Sequence, residues 1–312
     1  MTIFVAPAML RPMLEPHLPP SIEPRWFTGK EEALALAPEA EIGWFDMYDK
    51  ADMFAVIGAA TRLKWLNSVY AGVDGMPLAQ LVAQGTIVTN GSGINAITIA
   101  EYVVMAMLTI AKGYDEIVRA GDRQQWLETA PGTQELFESS ALIIGYGAIG
   151  QLVEERLKGF GVATRVVRSQ AGPGVLGPDQ WREKLGLFDW VILCVPGTPD
   201  TEQMIGVAEL EAMKASASLI NIARGSVIDQ DALVEALRAG KIAHAFLDVT
   251  MPEPLPAEHP LWALPNAHIS MHLSGKSQTR MFERSVKRFL ANLARWEKGG
   301  AVEPQVDLVK GY

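Results

Sequence analysis

Cysteine is almost missing: Cys194 is the only one in 312 residues. No disulfide can form within the chain, and a reducing compartment fits. Long apolar runs are missing too; none approaches the roughly 20 residues that a membrane-spanning helix requires. Positive charge is scarce, with 27 basic against 36 acidic residues and a formal net charge of −9. No basic run appears, which argues against nucleic acid or an anionic membrane as partner. Proline and charge interrupt MTIFVAPAMLRPMLEP early, so it lacks a signal-peptide pattern, and the expectation is a soluble cytoplasmic protein. Solenoid-period repeats, low-complexity tracts and a metal-ligand set are not found.

What remains is a hydrophobic share of 49% with 20% charged residues, enough for a sizeable core. This length exceeds the usual single-core limit, so two domains are expected. Residues 1–95 alternate short apolar runs with turn signals: TIFV (2–5), EIGW (41–44), LKWLNSV (63–69) and TIVTN (86–90). These read as strands separated by helical stretches such as 76–84. The segment 96–120 is apolar on most faces and reads as one buried helix joining two domains. Residues 121–140 are polar and irregular, a loop or arm. From 141 onward, apolar strands alternate with helical segments: ALIIG, VATRVV, DWVILCV, ASLINI, IAHAFLDV and AHISM. That alternation predicts an α/β chain with a doubly wound parallel sheet. An amphipathic helix over 280–300 is expected to cross back to the first domain. The predicted division is 1–98 plus 284–312 for a smaller domain and 99–283 for the larger one.

A glycine fingerprint sits at the first strand of the larger domain, in ALIIGYGAIG (141–150). It follows an apolar strand and opens a helical run, the context that such a fingerprint requires. Gly145 permits the tight turn, Gly147 admits a pyrophosphate to the backbone, and Gly150 lets helix pack on strand. The amides around Ala148 and Ile149, at the positive end of the helix, then face phosphate charge. Sites that prefer NAD carry an acid at the tip of the next strand, about 20 residues on, to bind the ribose 2′-hydroxyl. Here that tip carries Arg168 and Ser169. A guanidinium grips a 2′-phosphate and an acid would repel it, so NADP(H) is expected over NAD(H), which stays possible.

Three polar residues follow in order: Arg224 in NIARGSVID, Glu253 in LDVTMPEPLP and His272 in HISMHLSG. Arg224 and His272 each follow an apolar strand, at the carboxyl edge where open sheets bind ligands. A planar guanidinium can clamp a carboxylate and polarise the adjacent keto oxygen. Imidazole donates protons near neutral pH, and a carboxylate on its far nitrogen fixes the tautomer. Taken singly, a loop arginine, a PEP glutamate and a strand-end histidine each have a bland structural alternative. Together they are the parts for passing a hydride and a proton to an α-keto acid.

With these motifs in order (SVYAGVDGM, TNGSGINAITIAEYVV, GYGAIG, CVPGTPDT, NIARGSVID, ALVEALRAGKIAHAFLDV, EPLP and the His segment), the chain resembles the D-2-hydroxyacid dehydrogenases. The likeness spans nearly the whole length. The tail QVDLVKGY and Leu261-Trp262 are similar to the glyoxylate/hydroxypyruvate reductase A branch. The resemblance implies two Rossmann-like domains, the smaller one flavodoxin-like and substrate-binding, and the reduction of small 2-keto acids to D-2-hydroxy acids. It implies that Arg224 binds the substrate carboxylate and keto oxygen, and that His272 is the acid/base with Glu253 as its partner. The amides of Ala71 and Gly72 would bind the carboxylate from the other domain. Asp248 would accept from the nicotinamide amide, Cys194, Val195 and Pro196 would border the adenosine near Thr201, and Ile222 and Ala223 would line the nicotinamide. Trp44 falls where the branch has a pocket aromatic, and Arg280 would be a second carboxylate contact. Trp126 in the arm would reach a partner subunit's site or pack in an interface; a homodimer is implied.

The chain departs from the family at two places. Met271 stands where the family has proline before its histidine, which bears on the positioning of the ring, and Arg168 replaces the usual acid. Ala71, where phosphite dehydrogenases carry lysine, and Glu253, where formate dehydrogenases carry glutamine, favour hydroxyacid chemistry. Two other readings stay open: a dehydrogenase for larger keto acids, and a dinucleotide-binding, corepressor-like interaction protein.

Overall fold

The computed structural model describes residues 1–73 and 75–309. The last three residues of the tail QVDLVKGY lie outside the described residues. The chain divides into two compact units, one formed by Met1–Asn95 with the C-terminal segment from Gln278, the other by Ala96–Ser277. The sequence-based boundaries were 98/99 and 283/284.

The first unit holds five parallel strands, β1 (Thr2–Pro7), β2 (Ile22–Phe27), β3 (Ile42–Gly43), β4 (Trp65–Asn67) and β5 (Ile87–Thr89), in the order β2-β1-β3-β4-β5. That is the flavodoxin order. Helices α1 (Arg11–Leu14), α2 (Lys30–Leu36), α3 (Lys50–Ala59) and α4 (Leu78–Gln84) connect the strands. Asp49 starts α3 by accepting from the amides of Ala51 and Asp52. Gly85 ends α4 in the left-handed conformation that glycine adopts without penalty.

The second unit contains α5 (Ala96–Lys112), α6 (Tyr114–Asp122), β6 (Ser140–Ile144), α7 (Ala148–Gly159), β7 (Ala163–Val167), β8 (Val175–Leu176), β9 (Trp190–Leu193), α8 (Val207–Ala212), β10 (Ser218–Asn221), α9 (Gln230–Arg238), β11 (His244–Leu247) and β12 (Ala267–Ile269). Its seven strands are all parallel, in the order β12-β11-β10-β9-β6-β7-β8. The central strands β9 and β10 are buried along their whole length, as their unbroken apolar runs require when helices cover both faces. The sheet order reverses between β6 and β9, and open α/β sheets bind ligands at such a switch point.

The expected single helix over 96–120 is two. Gly113 takes a left-handed φ of 59° between α5 and α6, and the pair bends by 71°. A Cβ on Gly113 would come within 3.0 Å of Pro131 and Gly132, and a Cβ on Gly132 within 2.4 Å of the Gly113 amide nitrogen. Two glycines thus let the arm lie against the break. No single helix among the described residues is long and apolar enough to cross a membrane.

The last helix, α10 (Met281–Trp296), completes the first unit. Phe289 on its buried face is fully enclosed with Phe4, Trp44 and Trp65. Its ring lies 4.8 Å from Phe4, 4.9 Å from Trp65 and 5.3 Å from Trp44. Beyond the helix, the amide of Val306 donates to the Val88 carbonyl at 2.8 Å, which joins the chain's far end to the edge of this sheet. Truncating a buried phenylalanine removes its transfer energy and leaves a cavity. Phe289→Ala should therefore cost about 3–5 kcal/mol of stability, read as a lower denaturant midpoint for the first unit's aromatic fluorescence transition.

Candidate active site

The glycine fingerprint occupies the switch point. Gly145, just past β6, has φ +98°, and a Cβ there would sit 2.5 Å from the Cys194 carbonyl at the end of β9. A Cβ on Gly150 would sit 2.2 Å from the Gly145 carbonyl oxygen, so only glycine lets α7 approach the strand. Packing therefore explains both residues. Gly147 is different: a Cβ there meets nothing within 4 Å. The protein's own packing does not require glycine at 147, whereas a phosphate approaching the backbone does. Gly147 caps α7 without a side chain, so the first-turn amides of Ala148 and Ile149 keep an open helix end. These residues fit the diphosphate of a dinucleotide.

Arg168 and Ser169 follow β7 and are exposed. At the end of β9, Cys194 and Val195 are half-buried and Pro196 is exposed. Desolvation pushes the Cys194 thiol up to about 12, so it stays neutral. Thr201 shapes this loop: its hydroxyl donates to the Pro196 carbonyl at 2.7 Å and accepts from the Thr198 amide at 2.9 Å.

Three adjacent strands deliver the polar residues. β10, β11 and β12 pair in register, Asn221 with Leu247 and Leu247 with Ile269. Their carboxyl ends release Ile222–Arg224, Asp248–Glu253 and Ser270–His272 at one sheet edge. Ile222 and Ala223 are buried there. Asn221 holds the turn, donating to the Arg224 carbonyl at 2.9 Å and accepting from the Ala223 amide at 3.0 Å. Arg224 donates from Nη1 to the Ala223 carbonyl at 2.7 Å, and its stem fills the space that a Cβ on Gly197 would occupy. A Cβ on Gly225 would lie 2.1 Å from the Thr250 carbonyl oxygen. Gly197, Asn221 and Gly225 are thus part of the site's construction. They escaped the sequence reading, although Gly225 sits inside the quoted NIARGSVID motif.

His272 and Glu253 meet: imidazole Nδ1 lies 2.7 Å from a Glu253 carboxylate oxygen, and both side chains are about two-fifths exposed. Burial pushes Glu253 up, but the bond and charge from His272, the Thr250 amide and the charge of Arg224 together hold it below the usual carboxylate range. The three residues read from the sequence therefore share one electrostatic neighbourhood. Asp248 is 2% exposed and is filled by donors from the His272 segment rather than left open.

In the first unit, Ala71 is exposed and Gly72 half-buried. Their segment is anchored from both sides. Asn90 donates to the Ala71 carbonyl at 2.5 Å, the Gly91 amide to the Tyr70 carbonyl at 2.7 Å, and Arg288 of α10 to the Ser92 carbonyl at 2.6 Å. Asp46 accepts from the Ser68 hydroxyl and the Val69 amide, each at 2.6 Å. Trp44 is corrected by its surroundings: it is fully enclosed, packed on Phe289, with its indole nitrogen donating to Asp46 at 2.6 Å. It is a core residue and offers no wall to a substrate. Arg280 is exposed and paired through two nitrogens with Glu283 at 2.8 and 2.9 Å. Trp126, in the arm, is 93% exposed.

A helix end that admits a diphosphate and a histidine backed by a carboxylate are what a dinucleotide-dependent dehydrogenase needs, and one sheet here carries both. Residues 104–274 match the family model "D-isomer specific 2-hydroxyacid dehydrogenase, NAD binding domain". The chain is 33% identical to the glyoxylate reductase/hydroxypyruvate reductase of Homo sapiens over 246 residues, 74% of each protein. It is 32% identical to the glyoxylate/hydroxypyruvate reductase B of Pectobacterium carotovorum over 260 residues, 79% of this chain and 81% of that one. The crystal structure of a D-isomer specific 2-hydroxyacid dehydrogenase family protein from Aeromonas salmonicida matches with a TM-score of 0.85 at 27% identity, covering 98% of this chain and 99% of the other. The chain belongs to the D-isomer specific 2-hydroxyacid dehydrogenases. It is an oxidoreductase that works with a nicotinamide dinucleotide.

Asp46 yields a pH prediction. Desolvation raises it to about 6 from an ordinary 3.8, with the bonds from Ser68, Val69 and Trp44 opposing. A carboxyl raised in the folded state stabilises below its unfolded pKa and loses that contribution as pH rises through its folded pKa. The stability difference between wild type and Asp46→Asn should shift against wild type by on the order of 2 kcal/mol between pH 4 and 7. Urea midpoints for both proteins at four pH values measure it, and parallel profiles would remove Asp46 as the cause.

Proposed function

We propose that the protein reduces small 2-keto acids, such as glyoxylate or hydroxypyruvate, to D-2-hydroxy acids with NADPH in preference to NADH. The observation that carries this reading is the His272–Glu253 bond within the electrostatic reach of Arg224. When bound, the reduced nicotinamide supplies the hydride to the carbonyl carbon. Arg224 pairs with the substrate carboxylate and polarises the keto oxygen. His272 gives the proton on its Nε2 to the carbonyl oxygen, and Glu253, accepting from Nδ1–H, holds the tautomer and stabilises the charged ring. In the reverse direction the same nitrogen would take the hydroxyl proton.

Exposed Arg168 and Ser169 at the tip of β7 support the NADPH preference, since a 2′-phosphate needs a cation there and a carboxylate would repel it. The reading includes a homodimer, supported by the exposed apolar residues Tyr114, Ile117, Val118, Trp126 and Phe137 along α6 and the arm.

His272→Asn should lower turnover of glyoxylate by about 10²- to 10⁴-fold while NADPH affinity, read by fluorescence titration, stays within a few fold. Near-normal turnover would remove His272 as the proton donor. Arg168→Asp should move the NADPH-to-NADH ratio of kcat/KM towards NADH. An unchanged ratio would defeat the cofactor assignment and leave the reaction untouched.

A further inference from the structure

We propose that Asp248 is a positioning residue that holds His272 on a mirror-image turn which the local backbone disfavours. The inference rests on the reading of His272 as proton donor. After β12 the chain turns back at once, and the Leu273 amide donates to the Ser270 carbonyl at 3.1 Å. The two central residues of this turn, Met271 and His272, both have φ +55°. Positive φ at both central positions is the type I′ pattern, which glycine, asparagine and aspartate dominate because other side chains crowd the backbone there. Methionine and histidine at successive left-handed positions persist only when surrounding contacts over-determine them.

Asp248 supplies those contacts. One of its carboxylate oxygens accepts from the Ser270 hydroxyl at 2.6 Å, the Leu273 amide at 3.0 Å and the Ser274 amide at 3.2 Å. The other accepts from the Ser274 hydroxyl. Its own main-chain carbonyl accepts from the His272 amide at 2.6 Å. Asp248 and Ser274 are each 2% exposed, so water does not compete with these bonds. Charged acceptors bind amides and hydroxyls more strongly than neutral ones do. A single aspartate thus grips the turn on both sides of the histidine through its carboxylate and at the histidine itself through its main-chain carbonyl. The nicotinamide role expected for Asp248 would have to share an acceptor already engaged by the turn.

Position 271 offers a backbone test nearly free of packing effects, because Met271 is 63% exposed. Proline, locked near φ −65°, cannot occupy a left-handed position. Glycine occupies it without cost. The four variants to compare are Met271→Gly, Met271→Pro, Asp248→Asn and Ser274→Ala. Each is assayed with glyoxylate and NADPH, titrated for NADPH affinity, and observed by ¹⁵N-edited NMR of the imidazoles, with His272→Asn assigning the bonded Nδ1–H signal. Met271→Gly is expected to keep the signal and turnover within about threefold. Met271→Pro and Asp248→Asn should lose the signal and about 100-fold in kcat, the scale of an ångström misplacement of a reacting group, with NADPH affinity within a few fold. Ser274→Ala removes one donor only and should lower kcat several-fold. Wild-type turnover and signal in Met271→Pro, or in folded Asp248→Asn and Ser274→Ala together, overturns the proposal. If wild type reduced no 2-keto acid, the functional reading would fail, while the NMR signal would still decide whether Asp248 and the turn place the ring.

Discussion

In-register pairing of β10, β11 and β12 is the constraint on which the site depends. Parallel strands that end together release their loops together. Arg224, Asp248 with Glu253, and His272 come from distant parts of the chain, yet they leave one sheet edge side by side. The loops then approach more closely than side chains would allow. Gly225 lies against Thr250, and Gly197 lies against the stem of Arg224. A register slip of one residue in any of these strands would turn its functional residue to the opposite face.

Electrostatics acts locally in a protein whose overall charge is unfavourable for anionic ligands. The net charge is −9, while dinucleotide and keto acid both carry negative charge. The countervailing features are the open end of α7, the exposed guanidinium of Arg168 and the guanidinium of Arg224. Glu253 sits among them with one carboxylate oxygen engaged by His272 Nδ1 at 2.7 Å. Burial alone would favour its neutral form, and its donors reverse that preference. The same balance is struck differently at Asp46, where neutral donors do not overcome desolvation.

Much of the architecture was legible because buried parallel strands need continuous apolar runs, and ALII, WVIL and SLIN have them. β2 was missed because Ile22–Phe27 carries Glu23, Pro24 and Arg25. It is an edge strand, where proline and charge are tolerated. β8, with two residues at an edge of the seven-stranded sheet, carries no usable pattern. The break between α5 and α6 was hidden because a lone glycine within an apolar run is compatible with either a continuous helix or a bend. Its partner, Gly132, lies in the arm, and only their close packing selects the bend. Trp44 was misplaced because a tryptophan after a strand can face solvent, ligand or core. Phe289, from the other end of the chain, closes the core over it.

Chemical type and order belong to the primary structure: three glycines after a strand, an arginine at the next strand's tip, then arginine, glutamate and histidine after later strands. Covalent spacing relative to strand ends suffices for these, because parallel topology converts spacing into position at a common edge. Contacts between remote segments decided the rest. The enclosure of Trp44, the engagement of Asp248 by four donors and the left-handed turn beneath His272 have no local signature. Each arises from groups that become neighbours only when the sheet is complete, and backbone strain of this kind persists only where such neighbours hold it.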